Sequence, residues 1–246
     1  MLISYFCMKN TAKIKIIFGL LYISIISVFL WLFFSSFTLE EIGSYNFIKD
    51  NSKYLIDLKN TNLFLSSLFF LLLILIWIFL LGFGSPIILF SGFIFGKWYG
   101  SFLAIFGLSL GATFFYIFAN YFFKDLIKNK LSQRFNNLNI NFKKNEFIYM
   151  LIYRFIGGIP FFISNLLPVI LNVRSRIFFL ASAIGMTPQI FIGASLGSGI
   201  ENIISTKSEP PSILEIILDK NIYLPISGFI LIIILSLLIK KFLIKN

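Results

Sequence analysis

Apolar residues dominate four parts of the chain, residues 16–37, 63–123, 147–200 and 222–239, and polar connections separate them. A continuous apolar run of about 20 residues crosses a bilayer as a helix. Residues 16–37 meet that length; Lys9, Lys13 and Lys15 precede them, and Trp31 lies near their far end, where an indole suits the interface. The run exceeds a signal-peptide core and lacks a clean small-residue cleavage site, so it predicts an uncleaved first transmembrane helix. The two middle parts differ because glycine and proline break them, at LLGFGSPIILFSG in the first and at YRFIGGIPFF in the second, and the second break carries an arginine. Irregular backbone and charge at membrane depth are tolerated only where protein or a polar cavity surrounds them.

The polar connections set the orientation. Six basic residues, Lys124, Lys128, Lys130, Arg134, Lys143 and Lys144, face only Asp125 and Glu146 in residues 124–146, and Lys240, Lys241 and Lys245 end the chain. In residues 38–62, Lys49, Lys53 and Lys59 are balanced by Glu40, Glu41, Asp50 and Asp57. Between 201 and 220, acids outnumber bases. The bias places both termini and the 124–146 connection in the cytoplasm, and the 38–62 and 201–221 connections outside. An odd number of crossings then joins 62 to 124. A re-entrant hairpin over 63–97 followed by one helix over 98–123 satisfies this, and a second hairpin over 147–173 followed by a helix over 176–198 mirrors it from the other face. The fold class expected is an all-α polytopic membrane protein with two opposed re-entrant hairpins, about four full transmembrane helices and an inverted pseudo-repeat. Residues 1–37 form the N-terminal tail and first helix, 63–200 the core and 222–246 the last helix and tail. The basic segment 124–146, with Phe135, Leu138 and Phe142 among its charges, reads as a helix lying at the inner surface.

Composition narrows the chemistry. At 58% hydrophobic and 13% charged, the chain exceeds the apolar content of a soluble domain. The net charge of +11 is spread over loop edges rather than gathered with aromatics, which argues against nucleic acid. There is no histidine, and Cys7 is the single cysteine, so internal disulfides, thiolate clusters and imidazole catalysis are excluded and neither a metal nor a cofactor is expected. The acids lie in loops, and the serines and asparagines of the core have no base to activate them, so an enzyme is not expected either.

Gly92, Gly96 and Gly100 recur every four residues, as do Gly107 with Gly111 and Gly193 with Gly197, a spacing that lets helices approach closely in lipid. Arg154 is the sharpest candidate for function. Gly157, Gly158 and Pro160 follow it in apolar surroundings, and no acid occurs between Lys59 and Lys124 to pair with it across the first hairpin. Its donors must go to carbonyls of a broken helix, to Asn or Ser side chains, or to an external anion. Asn165, Ser164, Asn120, Thr113 and Gln189 are the other interior polar residues, and Arg174 and Arg176 mark the cytoplasmic edge, where they also suit anionic headgroups.

Two blocks of the chain resemble the VTT-domain superfamily, which includes the bacterial DedA proteins and the SNARE-associated Golgi proteins. The first, SPIILFSGFIFGKWYGSFLAIFGLSLGATFFYIFANYF, carries Pro86, Gly92, Phe95, Gly96, Gly100, Gly107, Gly111 and Ala112. The second, from YRFIGGIPFF to GASLGS, carries Arg154, Pro160, Asn165, Arg176, Phe178, Gly185, Pro188 and Gly197, and the likeness covers about residues 63–200. The resemblance implies two opposed re-entrant hairpins and movement of phospholipids or anionic polyprenyl-phosphate carriers, with Arg154 and Arg176 as the motif arginines. The chain departs from DedA members in lacking acids around the first hairpin, which brings it nearer the branch without them and removes the carboxylates that proton coupling would use. Ala119 and Asn120 stand where the first block often ends in Gly-Arg, and Gly157 stands where the second motif has a proline.

The function expected is a transporter moving lipid headgroups between leaflets of a bacterial cell membrane, with Arg154, Arg176 and Asn165 toward the lipid phosphate. Anionic lipids are its expected partners, either as a monomer or as a homo-oligomer. The alternatives are a proton-coupled carrier for a small solute and a membrane-assembly scaffold that transports nothing.

Overall fold

The structure is a computed structural model that describes residues 45–80, 83–156, 161–207 and 211–244, with scattered helical positions between 20 and 35. The chain divides into a unit of residues 1–48 and a unit of residues 49–246. The helix expected over 16–37 lies largely outside the described residues, as do Gly157, Gly158 and Pro160. Every element among the described residues is helical: α1 (Tyr45–Thr61), α2 (Leu63–Leu80), α3 (Ser85–Phe95), α4 (Lys97–Lys144), α5 (Glu146–Ile156), α6 (Phe161–Ile170), α7 (Ser175–Thr206), α8 (Ile213–Leu218) and α9 (Lys220–Ile244). Three are long and apolar enough to cross a membrane: α2, residues 97–122 of α4, and α7. Residues 45–61, read from sequence as part of a polar connection, form a helix instead; its Leu55 packs on the core, and the Lys49 ammonium donates to the Lys207 carbonyl at 2.7 Å.

Two units, each of an outgoing helix, a short returning helix and a long helix, make up the core, the outgoing helix being 18 residues in the first and 11 in the second. In the first, α2 runs alongside α4 in the same direction: Ser67 Oγ meets Tyr99 Oη at 2.9 Å, and the Ile74 and Ile78 side chains lie over Gly107 and Gly111. The tip of the α2–α3 hairpin lies beside the middle of α4, where the Phe79 ring touches Phe115 and Phe118. The second unit repeats the plan. Glu146 bonds to Arg174, Arg154 to Ser182, and Gln189 to the Phe155 carbonyl, so α5 and α7 also run in the same direction. Each hairpin therefore returns to the end from which it set out. The paired rings Trp98–Phe191, Phe106–Phe179 and Tyr116–Phe178 show α4 and α7 running in opposite directions, so the two units are inverted relative to each other. The short helices cross between units, α3 packing on α7 and α6 on α4.

Glycine makes these crossings possible. A Cβ on Gly92 would lie 1.8 Å from the Ala194 carbonyl oxygen, one on Gly197 2.0 Å from that of Leu89, and one on Gly100 2.2 Å from that of Ser91. Backbone touches backbone at each point, which is how helices gain dispersion contact where lipid offers no hydrophobic drive. Gly96 serves differently: its φ of +78° turns the chain from α3 into α4. Pro86 occupies the first turn of α3, where its missing N–H leaves no bond unmade, Phe95 packs on Phe70 and Tyr99, and Pro188 lies within α7.

The basic segment continues α4 without a break to Lys144. It does not continue straight. Tyr116 Oη donates to the Val173 carbonyl at 2.5 Å and Lys143 Nζ to the neighbouring Asn172 carbonyl at 2.6 Å. A straight helix would separate residues 116 and 143 by about 40 Å, far beyond what two side chains bridge. The axis of α4 therefore turns back between them, returning its end to the turn between α6 and α7.

Candidate functional site

Arg154 lies near the end of α5 and is 4% exposed. The sequence places it there because α5 buries one stripe, Glu146, Met150 and Arg154, at a spacing of four. Gly185 of α7 lets α5 come close enough, since a Cβ there would be 2.7 Å from Arg154 Cβ and 2.8 Å from the Leu151 carbonyl oxygen. The guanidinium is then clasped from two sides. Its Nε donates to Ser182 Oγ of α7 at 2.9 Å, one terminal nitrogen to Ser164 Oγ at 2.8 Å and the other to Asn165 Oδ1 at 2.7 Å, both of α6. Its Cζ lies 4.8 Å from the Phe178 ring centroid and 6.0 Å from that of Phe161. Phe178 is stacked in turn on Tyr116, with centroids 4.7 Å apart.

All these partners are neutral. The sequence has no acid between Glu146 and Glu201, and Glu146 is engaged elsewhere. Three of five guanidinium N–H donors have acceptors among the described residues, and Asn165 Nδ2, on a residue 1% exposed, has none. Ser109 Oγ and Asn120 Oδ1 on α4 are also buried without a partner among the described residues. Ser182 and Gly185 lie seven to ten residues into α7, about 10–15 Å from its start.

Of the residues singled out from sequence, Asn165 and Ser164 join Arg154 directly, and Gln189 caps the end of α5 by donating to the Phe155 carbonyl at 2.6 Å. Thr113 bonds the Ser109 carbonyl of its own helix. Arg176 lies apart, exposed in the first turn of α7, about 9 Å along the axis from Ser182. Sequence reasoning missed Ser182, an unremarkable small residue in an apolar helix, and Glu146. Glu146 is 5% exposed; its carboxylate accepts the Arg174 backbone N–H at 2.5 Å, meets Arg174 Nε at 3.2 Å and lies 3.6 Å from Lys143 Nζ. It thereby caps the start of α7 and ties it to the start of α5. One of only two carboxylates among six bases was the available signal.

The first hairpin offers nothing comparable. The positions over Gly107 and Gly111 that correspond to Arg154 over Gly185 are Ile74 and Ile78, and the hairpin break is tied by Trp77 Nε1 donating to the Phe83 carbonyl at 2.8 Å. Among the described residues, the buried charge is therefore on the second hairpin, while the first buries only the hydroxyls of Ser67 and Ser91. The two tips meet where the Phe161 ring lies against Gly84, 3.4 Å from where a Cβ would be.

Residues 68–199 match the model of the VTT domain. The chain is also 30% identical over 154 residues to YqeD of Bacillus subtilis (strain 168), described only as an uncharacterized protein, across 62% of this chain and 66% of that one, just under two thirds of its length. No solved structure matches it.

Proposed function

Because the chain belongs to the VTT-domain family, a membrane family, we propose that it is an integral membrane transporter that moves the phosphate headgroups of lipids between leaflets, with Arg154 as the phosphate ligand. The observation that carries this reading is a guanidinium buried in the protein, 4% exposed, with only neutral partners. Burying an unpaired charge costs several kcal/mol. A lipid phosphate supplies the missing countercharge and two acceptor oxygens in the geometry a guanidinium fits. Asn165 Nδ2, buried without a partner among the described residues, offers a further donor. Arg176 acts at the cytoplasmic edge, where an exposed arginine attracts anionic headgroups before they reach the interior.

In this reading both hairpins are re-entrant. The α2–α3 hairpin dips from outside and the α5–α6 hairpin from the cytoplasm, with both termini cytoplasmic in a bacterial cell membrane. The return of each hairpin to its starting end, and the opposed directions of α4 and α7, support that arrangement. No covalent step is required, so the protein is read as a carrier rather than an enzyme. The three bonds on Arg154 also suit a pin that holds α6 in place, and in the closed state the residue serves both ends.

The test is dithionite quenching of fluorescent phospholipid in vesicles reconstituted with the pure protein. Quenching beyond the outer-leaflet half, lost in Arg154→Ala that still inserts and folds, is expected. Undiminished quenching in that variant would remove the arginine from the path, and quenching confined to the outer half with the wild-type protein would overturn lipid movement.

A further inference from the structure

Arg154 is too deeply enclosed for a headgroup to reach it without a movement, and its bonds divide between two bodies that are held very differently. Nε is bonded to α7, and α5 is locked onto α7 by the Gly185 contact, the Gln189 bond to Phe155 and the Glu146 bond to Arg174. The terminal nitrogens are bonded to α6, which packs on α4 instead. The far end of α6 is fixed, by Tyr116 at Val173 and Lys143 at Asn172. Its near end is held through the side-chain bonds to Arg154 themselves. Pro168, inside α6, lacks the N–H that the Ser164 carbonyl would accept, and that carbonyl receives Tyr153 Oη at 3.4 Å. Phe161, the first residue of α6, fills the space between Gly84 of the first hairpin and the Arg154 guanidinium.

We propose that residues 161–167 are the gate of the anion site, hinged at Pro168, with Phe161 as its plug and the Ser164 and Asn165 side chains as stand-ins that are exchanged for phosphate oxygens when it opens. This rests on the reading of Arg154 as a phosphate ligand. The exchange conserves the guanidinium's hydrogen bonds: the two terminal nitrogens release Oγ and Oδ1 and take two phosphate oxygens, while Nε stays on Ser182 and keeps the guanidinium plane fixed. Ser164 Oγ retains its bond to the Phe161 carbonyl, 2.8 Å in the closed state, so it is not orphaned by the swap. Neutral stand-ins hold the charge loosely enough for a phosphate to displace them, which a carboxylate would not allow.

The gate is tested by tethering it. In a Cys7→Ser background, Gly84→Cys with Phe161→Cys is joined by a short bifunctional thiol reagent containing a reducible disulfide. Gly84 has φ of −83°, so a side chain is tolerated there. In vesicles of phosphatidylethanolamine and phosphatidylglycerol carrying fluorescent phosphatidylglycerol, the unlinked protein should move lipid at least as fast as wild type. Linking should slow it about tenfold or more, and reduction should restore it. Linked protein that moves lipid at the unlinked rate overturns the gate. Phe161→Ala alone is the second variant: it should speed movement several-fold, and an unchanged or slower rate overturns the plug. A wild-type protein that moves no lipid would instead refute the parent reading. The gate then remains readable as maleimide labelling of Ser164→Cys, which should quicken when Phe161→Ala is added; equal labelling would refute it.

Discussion

Replacing Arg154 by Met tests whether the residue is a pin, a ligand or both, because the structure makes its coupling to Asn165 calculable. In the wild-type protein, Asn165→Leu removes the acceptor of one guanidinium N–H and leaves that donor buried and unpaired, at a cost of about 2–3 kcal/mol. In the Arg154→Met background the same change has the opposite sign. Asn165, 1% exposed, would there carry an amide with neither group bonded, and Leu of similar volume removes both orphans, a gain of about 1–3 kcal/mol. The double-mutant cycle should therefore show a coupling of about 3–6 kcal/mol. At about 2–4 °C per kcal/mol for a chain of this size, the effect of Asn165→Leu on the melting temperature in detergent reverses from loss to gain. Equal destabilisation in both backgrounds would refute the hydrogen-bond geometry. The double variant also separates the roles, since its stability is recovered while the charge is gone. It should remain unable to move lipid, and recovery of transport with stability would show the arginine to be a pin alone.

Other outcomes follow from single residues. Gly92→Val should destabilise the protein by about 1–3 kcal/mol or more in a thermal melt, because even a Cβ meets the Ala194 carbonyl; Gly96→Ala meets nothing within 4 Å, yet should cost about 1–2 kcal/mol through its φ of +78°, and an unaffected melt for either would contradict the packing. Glu146→Ala strips the cap from the Arg174 N–H and should lower stability by about 1–3 kcal/mol without changing the orientation of labelled termini; no loss would mean that the carboxylate is not the tie between α5 and α7. Glu215 is held below the usual carboxylate range by its hydrogen bond from Lys207 and by that charge, so the pairing is present at neutral pH and is lost as the pH falls through the lowered value. Being fully exposed, it should leave the melting temperature unchanged in Glu215→Gln.

The membrane character was legible in the apolar runs, and Arg154 in its contrast with them, because a charge in an apolar segment is costly enough to need a reason. The close helix approaches were legible too, since four-residue glycine spacing has few other uses in lipid. What pattern could not reveal was pairing across long sequence distance. Ser182 is separated from Arg154 by 28 residues, and nothing local distinguishes it from Ser195, which bonds only the Phe191 carbonyl of its own helix. Glu146 looked like one acid in a basic loop; Lys143 is its neighbour three residues before, but Arg174, 28 residues on, reaches it only because α6 returns the chain to the start of α5. Residues 45–61 read as a connection because half their side chains are polar, although a helix with one apolar face at a surface has that composition. The inversion of the two units is nearly silent in sequence, because Ile74 and Ile78 occupy the places that Arg154 occupies in the other unit.

The most direct test of the account compares two fluorescent lipids in the same reconstituted vesicles, phosphatidylglycerol and a glucosylceramide that carries no phosphate. If Arg154 binds headgroups through phosphate, wild-type protein moves phosphatidylglycerol much faster than glucosylceramide, and that preference disappears with transport in the stabilised Arg154→Met, Asn165→Leu variant. Equal movement of both lipids by the wild type, or a preference that survives in the double variant, would contradict it.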